Sequence, residues 1–179
     1  MIKGTIPIKP HLKKFVCWLE NLKEDDHINL YQRTTIPRIL KLLLTFKTEI
    51  IIDSDRPLPQ DLTDQISYSL TIKRLDRGDI HLTKAGIIEF NSFLHYLFHD
   101  MLLARVVREV GKSKPNKKTE KQVIYEFLEE IGIEDIVNYE SVKKSSYRLR
   151  KEKNMGVFSD RSVDALELVP VKALNPDIA

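Results

Sequence analysis

The sequence predicts an α+β protein, mainly helical. A small mixed N-terminal body with a β-hairpin leads into one long central helix and then a C-terminal helix-turn-helix-like pair. Three observations predict it. Tyr68, Leu70 and Ile72 alternate with Ser67, Ser69, Thr71 and Lys73, the period of a half-buried strand. From Lys84 to Val110 apolar residues recur at helical spacing with no proline. Thr119 to Lys153 then carries the start and stop signals of two further helices.

Ile2 to Lys9 alternates weakly and ends at Pro10, as an extended strand does where proline opens a helix. Leu12, Phe15, Val16, Leu19 and Leu22 then keep helical spacing. The single cysteine, Cys17, lies within that pattern and reads as a buried thiol; one cysteine excludes an intramolecular disulfide and a multi-cysteine zinc site. Ile28 to Gln32 is a short strand candidate, and Pro37 opens a helix whose apolar face runs through Ile39, Leu40, Leu43, Leu44 and Phe46. Glu49 to Asp53 reads as a buried strand, and Asp53 to Gln60 as a polar break. The Ser67–Lys73 strand is expected to turn at Asp76-Arg77-Gly78-Asp79 and return as Ile80-His81-Leu82.

Thr83 is the expected N-cap of the long helix. Ile87, Phe90, Leu94, Leu97 and Met101 form its stripe, extended by Phe93, Leu102, Val106 and Val110. A helix apolar over so much of its circumference is either the centre of a core or the seam of a homodimer. His95 and His99 stand at i, i+4 with Asp100 beside them, but position 96 is Tyr and spacing places no third ligand. They read as polar-face or interface histidines, with no metal or cofactor expected. The acids Asp25, Asp26, Asp53 and Asp55 fall in loops, and neither a phosphate-binding glycine loop nor a GxSxG elbow occurs, so the expectation is not an enzyme.

Gly111 to Lys118, GKSKPNKK, reads as a basic linker whose Lys117 and Lys118 can approach the same polyanion as the pair that follows. Thr119 and Gln122 fit a capping box; Val123, Ile124, Phe127, Leu128 and Ile131 form the stripe, and Gly132 is suited to the left-handed stop. A second helix is expected from near Tyr139, with Val142 and Leu149 facing the first. Between Lys143 and Lys153 lie six basic residues and one acid, with Lys144, Arg148 and Lys151 on one face. Like charges at that spacing repel by a few tenths of a kcal/mol per pair. Phosphate would offset this, with Ser141, Ser145, Ser146 and Tyr147 adding neutral hydrogen bonds; the bland reading is a solvated charged helix.

Bulk properties bound the reading. The 179 residues are 42% hydrophobic and 31% charged with a net charge of +3, so the whole-molecule field does not require a nucleic-acid partner. The local distribution does the arguing: residues 111–153 hold 11 basic and 8 acidic residues, with the acids concentrated on the first helix and the turn. No apolar run reaches the ~20 residues that span a bilayer, and the expected location is cytoplasmic.

Thr119 to Lys153, above all its ending SVKKSSYRLRKEK, resembles the helix-turn-helix of DNA-binding proteins carried by phages and mobile elements, and the whole chain is similar to uncharacterised mobile-element proteins of Bacteroidetes. The resemblance implies that Ser141, Lys143, Lys144, Tyr147, Arg148 and Lys151 face DNA. The chain departs from the pattern in its turn, where six residues separate Gly132 from Tyr139. IHLTKAG, Ile80 to Gly86, resembles the wing-to-helix junction of winged-helix regulators, in which case Arg74 and Arg77 would be wing contacts. Gln60 to Ile66 lacks the basic recognition helix that such a fold places before the hairpin, so the hairpin is expected as scaffold.

The expected division is residues 1–110 as the body, 111–118 as the linker, 119–153 as the basic module and 154–179 as a flexible or partner-binding tail. The expected function is non-enzymatic binding of double-stranded DNA, as a transcriptional regulator or a recombination or architectural accessory factor. An adaptor subunit of a phage or mobile-element assembly, with contacts through the long helix and the tail, is the alternative.

Overall fold

The computed structural model describes residues 2–23, 26–46, 57–70, 80–111 and 118–152. The fold is mainly helical α+β. In chain order it runs β1 (Ile2–Ile8), α1 (Pro10–Leu19), β2 (His27–Asn29), α2 (Thr35–Leu43), β3 (Leu44–Phe46), β4 (Asp64–Leu70), β5 (Ile80–Leu82), α3 (Lys84–Val110), α4 (Glu120–Ile131) and α5 (Tyr139–Glu152).

The main sheet has the order β1-β4-β2, with β4 antiparallel to β1 and parallel to β2. The pairing puts Ile6 opposite Ile66 and Gly4 opposite Tyr68, so β-alternation gathers Ile6, Ile8, Ile28, Ile66 and Tyr68 into the buried core. A Cβ at Gly4 would lie 2.5 Å from the Tyr68 ring, and only glycine lets that ring close over its neighbour. At the corner into α1, buried Asn91 of α3 donates to the Pro7 and Ile87 carbonyls at 3.0 Å, and its Oδ1 accepts from the Lys9 N–H. One side chain thus fastens the sheet to the long helix.

Residues 71–79 of the expected hairpin lie outside the described residues. Among the described residues β4 is the middle strand of its sheet, and β5 pairs with β3. Seven residue pairs join β4 to β1. The helix expected to continue through Phe46 stops at Leu43, and Leu44–Phe46 is β3. The Glu49–Asp53 strand, the Asp76–Asp79 turn, Arg74, Arg77, Lys117 and the 154–179 tail lie outside the described residues.

α3 has the expected bounds, with Thr83 Oγ1 accepting from the Gly86 N–H at 3.0 Å. Its stripe is covered by its own chain: Phe90, Leu94, Phe98, Leu102 and Val106 are buried, and α1, α2, α4 and α5 pack on it. Ile87, Phe93, Leu97, Met101 and Val110 of the expected stripe are half-buried beside that core. Phe98 joins the layers, meeting Phe15 of α1 edge-on at 5.4 Å and Phe127 of α4 at 5.6 Å. Residues of the body and of the C-terminal pair therefore share one continuous hydrophobic core.

Candidate nucleic-acid interface

α4 begins as its sequence dictates: Thr119 Oγ1 accepts from the Gln122 N–H, and the Gln122 side chain accepts from the Thr119 N–H at 2.9 Å. Gly132, at φ 72°, ends it in the left-handed conformation, and Lys14 Nζ of α1 donates to the Gly132 carbonyl at 2.8 Å. Val123, Ile124, Phe127, Leu128 and Ile131 are buried. Arg105 of α3 pairs with Glu130 and lies over the Phe127 ring. α4 is a fixed platform.

α5 starts where Asn138 Oδ1 accepts from the Glu140 N–H at 2.8 Å. Its inner side is narrow. Val142 and Ser146 are buried, and the helix packs on α3, where Ser146 Oγ lies 3.4 Å from His99 Nδ1. Ser146 therefore faces the core, a correction to its reading as a phosphate ligand: the turn that carries Val142 inward carries position 146 with it. The Leu149 side chain lies outside the described residues.

The outer side carries the expected residues. Ser141, Lys143, Lys144, Tyr147, Arg148 and Lys151 are all exposed. Among the described residues, Lys144, Arg148 and Lys151 have no ion-pair partner. Lys118 behaves differently: its Nζ is held 2.7 Å from Glu126, which neutralises it against α4. The structure thus brings six of the eight expected residues onto one helix and ties a seventh to an acid.

Sequence reasoning missed a ladder beside them. Tyr125 of α4 and Tyr139 of α5 stack with centroids 5.2 Å apart and planes 9° from parallel. Lys121 Nζ lies 5.9 Å from the Tyr125 centroid and Lys143 Nζ 5.8 Å from that of Tyr139. The signal was present in two Lys/Tyr pairs at i, i+4, but the stack between helices was not.

Behind the interface, His95 and His99 lie edge-to-face at 4.5 Å, and His11 meets Phe98. Burial, reinforced for His11 by Lys9 and for His99 by His95, pushes both imidazoles down to about 4; burial and then Lys9 also lower His95. They are neutral at neutral pH. His99 is buried in the core while His11 and His95 are half-buried beside it, and no cluster of three metal-ligating side chains occurs among the described residues. No described helix is long and apolar enough to cross a membrane.

No family model, curated protein or solved structure matches this chain.

Proposed function

We propose that this is a non-enzymatic DNA-binding protein that grips duplex phosphates through the outer face of α5, with Lys144 or Arg148 reaching a base edge in the major groove. It would serve a mobile element or phage as a transcriptional regulator or a recombination or architectural accessory factor. One observation carries the reading: a helix anchored on its inner side by Val142 and Ser146 displays Lys144, Arg148 and Lys151 on the other, with no acid paired to them among the described residues. Such a face gains when phosphate replaces condensed counterions, and Ser141 and Tyr147 can add neutral hydrogen bonds to phosphate oxygens.

The test is binding to labelled duplex DNA over a salt series. Four phosphate contacts, from Lys143, Lys144, Arg148 and Lys151, would give a log–log slope of about −3 to −4, roughly a hundredfold loss between 50 and 200 mM salt. The Lys144→Glu/Arg148→Glu double variant should lose binding and keep its fold, since both side chains are exposed. No binding at low salt would overturn the reading and favour the adaptor alternative.

A further inference from the structure

We propose that the flank shared by α4 and α5 is a subsite for an unpaired nucleotide, so that the preferred nucleic acid carries single-stranded residues beside a duplex. The inference rests on the DNA-binding reading of α5 and adds a second contact of a different kind. Its residues are Lys121, Tyr125, Tyr139 and Lys143, which form a cation–ring–ring–cation ladder bridging the two helices. Tyr147, 52% exposed, stands one turn beyond Lys143 on the same side of α5.

Duplex phosphates give an aromatic face nothing to do, because paired bases present only their edges in the grooves. An unpaired base presents its own face, and stacking on tyrosine is tolerant of which base it is. Tyr125 is 46% exposed although it stacks on Tyr139, so the ring is accessible from outside the pair. The ammonium groups sit close to the ~6 Å limit of a cation–π contact, on flexible stems. A base can therefore displace Lys121 from the Tyr125 face while the freed ammonium meets that nucleotide's phosphate. Glu126, next to Tyr125 in sequence, is paired with Lys118 at 2.7 Å, which leaves Lys121 and Lys143 as the cations on the two rings. The platform is also set in advance: Tyr139 packs against the hydrophobic core and the capping box fixes the start of α4, so little side-chain freedom remains to be lost on binding.

The test uses the full chain at low salt with three fluorescein-labelled probes: a blunt duplex, the same duplex with an oligothymidine overhang, and the same duplex with an abasic overhang of equal length and charge. The oligothymidine overhang should bind at least about fivefold more tightly than the abasic one. Tyr125→Ala should erase that difference, and Tyr125→Phe, which keeps the ring, should preserve it. Equal, salt-sensitive affinity for the two overhangs overturns the subsite and leaves the phosphate reading standing. A preference for thymidine that survives Tyr125→Ala overturns its assignment to this ladder. No binding of any probe at low salt overturns both proposals.

Discussion

α4 and α5 rest on the same long helix and invest in it very differently. α4 buries Val123, Ile124, Phe127, Leu128 and Ile131, is boxed at its start, stopped by a left-handed glycine and clamped by Lys14 and Arg105. α5, slightly longer, shows Val142 and Ser146 as its buried residues among those described. The difference teaches that helix formation and core-building are separable. α4 is determined by what it touches inside, whereas the composition of α5 is mostly spent on what it shows outside.

The sharpest way to break that contrast is to remove the Phe127 ring, which is 2% exposed and contacts Trp18, Phe98 and Arg105. Phe127→Ala should cost about 3–5 kcal/mol in urea unfolding. Truncating Val142, the buried aliphatic anchor of α5, should cost about half as much or less. Equal losses would mean that α5 is as much a core helix as α4.

The next effect comes from acid. His11 and His99 are held neutral, with folded values near 4 against an ordinary 6.5, so the unfolded chain takes up protons first as pH falls. Their contribution is fully present above pH 6.5 and is lost as pH drops from there toward 4. The nearby charges do not reverse this: Lys9 and His95 lower these groups, and Asp61 and Asp100 raise them less than burial lowers them. Allowing for solvent screening, the loss by pH 4.5 should be on the order of 2–4 kcal/mol. It should be accompanied by loosening of α5, because Ser146 is the partner of His99. Urea midpoints across that range check it, and His99→Gln should flatten the slope; a midpoint constant from pH 7 to 4.5 would contradict it.

The smallest effect lies at the joint between the two helices. Gly132→Ala meets no atom within 4 Å, so only the left-handed backbone resists it, at about 1–2 kcal/mol. A shift in thermal midpoint with DNA affinity unchanged would show that the joint serves the fold. A change in affinity beyond what stability explains would show that it also sets the angle of α5.

What was legible in the sequence was local. The bounds of α3, the Thr83 cap, the Thr119/Gln122 box and the Gly132 stop each depend on residues within one helical turn of one another. Strand partnership is not local: Asp64–Leu70 pairs with Ile2–Ile8, and Ile80–Leu82 pairs with Leu44–Phe46. The candidate interface divides the same way. Periodicity alone placed Lys144, Arg148 and Lys151 on one outward face. The inward turn of Ser146 depends on His99, and the Tyr125–Tyr139 stack joins residues on different helices.

The pairing of β1 with β4 has a consequence for how the chain is made. Ile6 finds its partner in Ile66, so β1 waits for some sixty residues before its hydrogen bonds can form. Closing a loop of that length costs about 3–4 kcal/mol of chain entropy. The packing of α1 on α3 and α4 spans still longer separations, as Phe15 on Phe98 and Trp18 on Phe127 show, and is slow to close for the same reason. On the nascent chain, β1 leaves the ribosome as an unpaired strand carrying Ile6 and Ile8, and Pro7 within it is a built-in guard against joining another chain's sheet.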